Sequence, residues 1–194
     1  MSAAIPALRD RREIHALIDL LRGPDLSVRG EAALALAELG EAAVDPLIEC
    51  LQEGESDIRI WAAAVLGQIG DERAIDPLIQ VMESGDDEVR SAVARALGMI
   101  GTERVEDALI TALQDPHSYV RSGAAFSLGM LKPQRAVEPL SRALRDPNRY
   151  VRVQAVWALK EMGGEQARSA LRNTPEENDP VVRRALDRAL QELG

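Results

Sequence analysis

One sequence unit is repeated along this chain, and its period restricts the possible folds more than any other feature. A Val-Arg or Ile-Arg pair recurs with its arginine at Arg29, Arg59, Arg90, Arg121, Arg152 and Arg183. The successive spacings are 30, 31, 31, 31 and 31 residues. A fixed period of this length is typical of a solenoid, in which each unit packs on the units before and after it.

Each unit contains two segments with helical periodicity. The first, as in Ile58–Ile69, has apolar residues at intervals of three and four and ends at a glycine such as Gly70, which suits a left-handed C-cap. The second is expected to begin with an aspartate N-cap followed by proline, as in Asp76-Pro77. The sequence shows no strand pattern. The chain is therefore predicted to be all-α, an α-solenoid of stacked antiparallel helix pairs.

The period predicts a single repeat domain over residues 1–194. It consists of an N-terminal capping half-repeat, five full repeats and a C-terminal capping helix. Their predicted bounds are 1–23, then 24–54, 55–85, 86–116, 117–147 and 148–178, and finally 179–194. In the last helix the polar Asp187 replaces the alanine or valine that the other repeats have at this core position, as expected for a helix that faces water on one side.

Composition narrows the classes of function. The net charge of −9 argues against a nucleic-acid partner and favours a soluble, cytoplasmic protein. We expect no membrane partner, because there is no long apolar run and no signal peptide at the N-terminus. A single cysteine excludes an internal disulfide and a cysteine-rich metal site, so a bound metal is not expected.

The consensus VRxxAAxALGxIG, followed by DERAIDPLI, resembles the HEAT-like repeat of the phycobilisome (PBS) lyases. The similarity extends from about Asp10 to Gly194. It implies an α-solenoid whose Val-Arg helices line a concave side, with ligand contacts at the variable positions of those helices. Because this repeat serves unrelated roles, the resemblance predicts the fold and leaves the activity open.

All five aromatic residues of the chain lie at these variable positions. Phe126 and Trp157 are equivalent residues one period apart, and so are Tyr119 and Tyr150. Each pair is predicted to meet across the groove, because packed helices lie about 8–10 Å apart. The predicted partner-binding residues are Trp61, Arg95, Met99, Tyr119, Phe126, Met130, Tyr150, Val153, Trp157 and Arg188. The alternative is that the rings merely pack on one another and fill gaps between repeats.

The charged residues of the groove also differ along the chain. Acidic residues such as Glu31, Glu38 and Glu88 lie toward its N-terminal half. Arg149, Arg184 and Arg188 lie toward its C-terminal end. A partner with a carboxylate near an aromatic or aliphatic anchor would suit the arginines. The alternative is a solvated charged face.

The arginines of the Val-Arg pairs are interpreted as structural and not as a phosphate site. Each occupies the same position beside the core, where a half-buried guanidinium needs a partner. The predicted partners are Asp45, Asp76 and Asp107, or the end of a neighbouring helix.

The sequence contains no recognisable catalytic constellation. The deoxyhypusine hydroxylases resemble this chain in fold but hold iron with His-Glu pairs, whereas neither His15 nor His117 is followed by glutamate. Cys50 aligns with small core positions and is predicted to be a buried apolar residue. We therefore predict a non-enzymatic scaffold without a cofactor that binds a protein or peptide in its concave groove. The alternative is a bilin lyase or pigment-chaperone subunit that binds a planar hydrophobic ligand.

Overall fold

The protein is described by a computed structural model that covers the backbone of residues 4–175 and 177–193 and the side chains from residue 12 onward within those ranges. Its helices are α1 (Ala4–Leu21), α2 (Leu26–Leu39), α3 (Glu41–Glu53), α4 (Ser56–Ile69), α5 (Ile75–Ser84), α6 (Asp87–Ile100), α7 (Glu106–Ala112), α8 (Ser118–Leu131), α9 (Val137–Ala143), α10 (Arg149–Met162), α11 (Gly164–Arg172) and α12 (Pro180–Leu193). Within the described ranges the structure has no strand, so the all-α prediction is confirmed.

The chain divides into two compact units, residues 1–100 and 101–194. In the first unit, α4 packs between α2 and α6, and α1, α3 and α5 form the opposite layer. In the second unit, α10 packs between α8 and α12, and α9 lies beside α11 in the opposite layer. In both units the helices that carry a Val-Arg pair therefore form a layer of their own, called here the Val-Arg layer. The repeat bounds derived from the sequence stay a prediction.

Small residues let the helices of the Val-Arg layer approach each other closely. A Cβ atom added at Gly67 would lie 2.7 Å from the Cα of Ala96, and one added at Gly129 would lie 2.8 Å from the Cα of Ala158. Both distances are too short for a real side chain, so glycine is required where α4 meets α6 and where α8 meets α10. The alanine-rich core, which buries Ala96 and Ala158, follows from this close packing.

The Val-Arg helices α2, α4 and α10 end at the predicted glycines, but the left-handed cap is confirmed only in part: Gly40 and Gly163 combine a positive φ with ψ values of −128° and −160°, outside the left-handed helical region. Gly70 follows α4 with a φ of 75°, and Lys132 follows α8 with a φ of 57° in place of a glycine. The prediction that Asp76 caps the second helix is wrong. A 3-10 turn, Glu72–Ala74, precedes α5, and the backbone N–H of Arg73 donates to the carboxylate of Asp71 at 2.9 Å. Asp76 therefore lies within the first turn of α5 and not before it.

The arginines of the Val-Arg pairs bind backbone carbonyls at the end of the preceding helix or in the turn that follows it, which agrees with the predicted pairing with a neighbouring helix end. Arg59 Nε donates to the Leu51 carbonyl at 2.9 Å, and Arg121 donates to the Asp115 carbonyl at 2.8 Å. Carbonyls at a helix C-terminus have no helical partner, and Arg59 satisfies one of them at the end of α3, whereas Arg121 binds a carbonyl of the turn after α7. Arg121 also forms a two-fold contact with Asp146, at 2.6 and 2.9 Å.

The alternative pairing with the aspartates of the second helix is wrong for Asp45 and Asp107. Asp45 accepts from Arg73 at 3.3 Å, and Asp107 accepts from Arg135 at 2.6 Å. Both aspartates are exposed, and each pairs with an arginine of a 3-10 turn instead of a half-buried arginine of the Val-Arg layer.

We expect Arg121→Lys to lower the free energy of unfolding by about 1–2 kcal/mol. The side chains of Arg121 and Asp146 are only 13% and 8% exposed, and lysine offers no planar fork that could bind the carboxylate and the helix end together. The matched control is Arg135→Lys, because Arg135 forms more exposed ion pairs with Glu106 and Asp107. Urea unfolding followed by circular dichroism measures both, and an equal effect of the two substitutions would contradict this account.

No helix in the described part of the chain is both long enough and apolar enough to cross a bilayer.

Candidate binding face on helices α8, α10 and α12

Large apolar side chains of the second unit lie exposed on one side of its Val-Arg layer. Tyr119 is 67% exposed, Met130 57%, Tyr150 56% and Phe126 41%. Together with Val153, Trp157 and Arg188 they form what we call the aromatic face. On α8 its members are separated by seven and four residues and therefore share one side of the helix. The other side of α8 is buried: Val120, Ala124, Ala125 and Leu128.

Phe126 and Trp157 form the centre of the aromatic face. Their rings stack with a centroid distance of 5.0 Å and an interplanar angle of 17°, so these two residues meet as their equivalent positions predicted. Trp157 also covers Gly129, where an added Cβ would lie 2.5 Å from a carbon of the indole ring. The stacked pair is therefore held in place by the close packing of α8 on α10. Phe126 stays exposed and Trp157 is half-buried, so neither ring is sealed within the core.

Each tyrosine of the face contacts a neighbour at the start of its own helix. The Tyr119 ring lies 5.4 Å from the ring of His117. The guanidinium of Arg149 lies 5.0 Å from the Tyr150 ring centroid and donates to the Tyr150 hydroxyl at 3.2 Å. That hydrogen bond raises the pKa of Arg149. These contacts reduce the freedom that the tyrosines would lose on binding a partner.

A row of alternating charges borders the aromatic face on α10 and α12. Glu161 binds Lys160 at 2.9 Å and Lys132 at 3.2 Å. Glu192 binds Arg188 at 2.8 Å and Lys160 at 3.0 Å. Sequence reasoning missed this row. The signal was available, because the two glutamates are 31 residues apart at equivalent positions.

We expect the second unit to lose stability in acid because its carboxylates have lowered pKa values. Hydrogen bonds from Lys160 and Lys132 lower the pKa of Glu161, and those from Arg188 and Lys160 lower the pKa of Glu192. A carboxylate whose pKa is lower in the folded than in the unfolded state stabilises the fold above its unfolded pKa of about 4. That contribution is lost as the pH falls through the folded pKa.

The melting temperature should therefore be lower at about pH 3 than at about pH 7. In the variant Glu161→Gln/Glu192→Gln the difference between the two conditions should shrink. Thermal melts followed by circular dichroism measure both. A melting temperature that is unchanged or higher in acid would show that these ion pairs contribute nothing.

Three of the predicted site residues belong to the first unit. Trp61 is half-buried on α4, and Arg95 and Met99 are exposed on α6. The same layer of this unit also exposes Leu26 and Leu34 on α2, which the predicted site omitted. Leu34 is the repeat equivalent of Phe126, and this equivalence in the sequence indicated that Leu34 belongs to the same exposed side of the layer.

The side chains considered for catalysis or metal binding are those of His15, His117 and Cys50. Among the described residues, no group of three or more His, Cys, Asp or Glu side chains is arranged to hold a metal ion. Cys50 is half-buried, so the prediction of a fully buried residue is wrong. Desolvation by this partial burial raises the pKa of the Cys50 thiol. A thiol with a raised pKa is a poor nucleophile.

Comparison with solved structures reveals the same architecture in other proteins. The complex of CpcE and CpcF of phycocyanin lyase from Nostoc sp. PCC7120 is 28% identical, with a TM-score of 0.64 over 89% of this chain and 74% of that chain. A designed armadillo repeat protein in complex with the peptide (KR)4 is 19% identical, with a TM-score of 0.64 over 92% of this chain and 98% of that chain. The second similarity shows the fold alone.

Sequence comparison identifies the repeat. No match was found among curated protein sequences. The model of the HEAT repeats matches residues 2–64, 44–122 and 106–191, which together span most of the chain. These matches agree with the paired helices and the solenoid architecture described above. The chain therefore belongs to the HEAT repeat family.

Proposed function

We propose that this protein is a non-enzymatic scaffold that holds a segment of a protein partner against the aromatic face. The observation that carries the proposal is the exposure of Tyr119, Phe126, Met130 and Tyr150 on two adjacent helices. A contiguous apolar patch in water is unfavourable unless a partner covers it, and such patches mark interaction sites. We expect this face to line the concave side of the solenoid.

The composition of the face supports protein binding in particular. Tyrosine, tryptophan and arginine are the residues that contribute most binding energy in protein interfaces. The Phe126–Trp157 stack gives a partner a fixed surface, so little side-chain entropy is lost on binding. The designed armadillo repeat protein supports the proposal at the level of the fold, because that protein of similar architecture is in complex with a peptide.

A second candidate function is that of a bilin-lyase or pigment-chaperone subunit. The similarity to the CpcE–CpcF phycocyanin lyase complex favours it. Phe126 and Trp157 stack directly on each other, which leaves no space for a planar ligand between the two rings. A bilin would have to lie on the exposed side of the stack, with its propionates toward Arg184 or Arg188. A shift of bilin absorbance on mixing with the protein tests this function.

Affinity purification followed by mass spectrometry tests the proposed function. The parent protein is compared with Phe126→Ala/Trp157→Ala and with Tyr119→Ala/Met130→Ala, which removes only exposed side chains. Leu20→Ala is the control, because Leu20 is an exposed leucine of α1, outside the Val-Arg layer. Partners should be recovered with the parent and the control and be lost with both double variants. Recovery of the same partners with all four proteins would refute the proposal.

A further inference from the structure

We infer that the segment bound on the aromatic face is acidic and extended, with a carboxylate about three residues from its apolar anchor. This inference rests on the proposed function and specifies the chemistry of the partner. It depends on two arginines of α12, on the neutralised carboxylates around them, and on the spacing of the helices.

Arg184 and Arg188 present unused hydrogen-bond donors. They lie one turn apart on the same side of α12. Arg184 donates through Nε to the Pro180 carbonyl, and Arg188 donates through Nε to Glu192. The terminal nitrogens of both guanidinium groups have no partner among the residues that the structure describes. Two such nitrogens form the planar fork that binds a carboxylate in a bidentate manner.

These arginines continue the aromatic face onto the next helix. Arg188 is the repeat equivalent of Trp157, and Arg184 is the equivalent of Val153. Because α10 packs on α12, the arginines follow Trp157 in the direction that runs from α8 to α12. Lys160 on α10 binds Glu192 at 3.0 Å, and Glu192 binds Arg188, so Glu192 links Arg188 to α10.

The carboxylates nearby do not cancel this positive charge. Glu161 is shared by two lysines, and Glu192 is shared by Lys160 and Arg188. Arg184 has no ion-pair partner among the described residues, and the side chain of Arg188 is 81% exposed. Four cationic side chains, those of Lys132, Lys160, Arg184 and Arg188, therefore share the two carboxylates of Glu161 and Glu192. On a chain of net charge −9, this local excess of positive charge distinguishes an acidic segment from a basic one. A basic segment would meet these guanidinium groups as like charges.

The helix spacing sets the separation between anchor and carboxylate. Packed helices lie about 8–10 Å apart. An extended chain advances about 3.3 Å per residue, so it crosses from one helix to the next in about three residues. A segment with an aromatic or aliphatic side chain on the Phe126–Trp157 stack therefore places a residue about three positions away over α12, where the arginines lie.

Selection from a library of short random peptides displayed on phage tests this inference with defined probes. The targets are the parent, Phe126→Ala/Trp157→Ala, Arg184→Glu/Arg188→Glu, and the control Arg142→Glu. Arg142 forms an exposed i,i+4 pair with Glu138 on α9, as Arg188 does with Glu192 on α12, but it lies in the opposite layer. An enriched peptide is then synthesised with its carboxylates and with amides in their place, and its affinity is measured by fluorescence anisotropy.

We expect selection on the parent and on Arg142→Glu to enrich peptides that contain an apolar residue and an Asp or Glu about three positions apart, in either order. The amide form should bind about tenfold more weakly. Arg184→Glu/Arg188→Glu should lose the preference for acidic residues or reverse it. Enrichment of basic or uncharged peptides that still require Phe126 and Trp157 would overturn the inference and leave the proposed function intact. Enrichment that does not depend on those two rings, or no enrichment, would overturn both.

Discussion

Phe126→Ala/Trp157→Ala is expected to weaken partner binding by about 2 kcal/mol or more, which is roughly a thirtyfold rise in Kd. The two rings form one stacked unit at the centre of the face, with Met130 and the tyrosines around it. Their loss removes both the apolar area that the partner covers and the rigid surface on which it lies. Isothermal titration of a captured partner or a selected peptide measures the change.

Trp157 also packs on α8, so the double variant needs a test of folding alongside the binding measurement. Tyr119→Ala/Met130→Ala serves this purpose, because both side chains are more than half exposed and their removal leaves the core unchanged. We expect it to weaken binding while its circular dichroism spectrum and melting temperature stay close to those of the parent. Unchanged affinity in both double variants would place the partner elsewhere on the molecule.

Gly129→Ala should lower the free energy of unfolding by about 2–3 kcal/mol. The new Cβ would lie 2.5 Å from the indole of Trp157 and 2.8 Å from the Cα of Ala158. The indole can turn aside, but the backbone of Ala158 can move only if α10 moves away from α8. The variant therefore loses helix contacts and displaces the ring that stacks on Phe126. Urea unfolding followed by circular dichroism measures the loss of stability.

Gly30→Ala is the matched control, with the opposite expected sign. An added Cβ at Gly30, within α2, has no heavy atom within 4 Å, and the φ of Gly30 is not positive. Alanine there should raise the free energy of unfolding by about 0.5–1 kcal/mol, because it restricts the unfolded chain. Equal destabilisation by the two substitutions would contradict the close packing of α8 on α10.

The repeat made the fold predictable from the sequence. Each Val-Arg pair marks the same helix of the repeat, and glycines such as Gly70 mark its end. A helix whose own sequence is atypical can therefore be identified from its equivalents in the other repeats. The same periodicity predicted that Phe126 and Trp157 meet, because equivalent residues of adjacent units lie side by side. Their role in binding a partner stays a prediction.

The features that the sequence did not predict depend on side-chain conformation or on local turns. Asp71 caps a 3-10 turn before α5. The expectation that an aspartate followed by proline begins the second helix did not predict this turn. Long side chains have several possible partners, so spacing alone did not show that Asp45 binds Arg73 or that Lys160 joins Glu161 to Glu192. Such pairs follow from rotamers that only the packed helices determine.

Site-specific photo-crosslinking measures directly whether a partner covers the aromatic face. The photoreactive residue p-benzoylphenylalanine replaces Tyr150 in one protein and Arg142, on the opposite layer, in another. Both positions are solvent-exposed, so both can accept the residue without repacking the core. The account predicts a covalent adduct with the partner from position 150 and none from position 142. Adducts from position 142 alone, or equally from both positions, would contradict it.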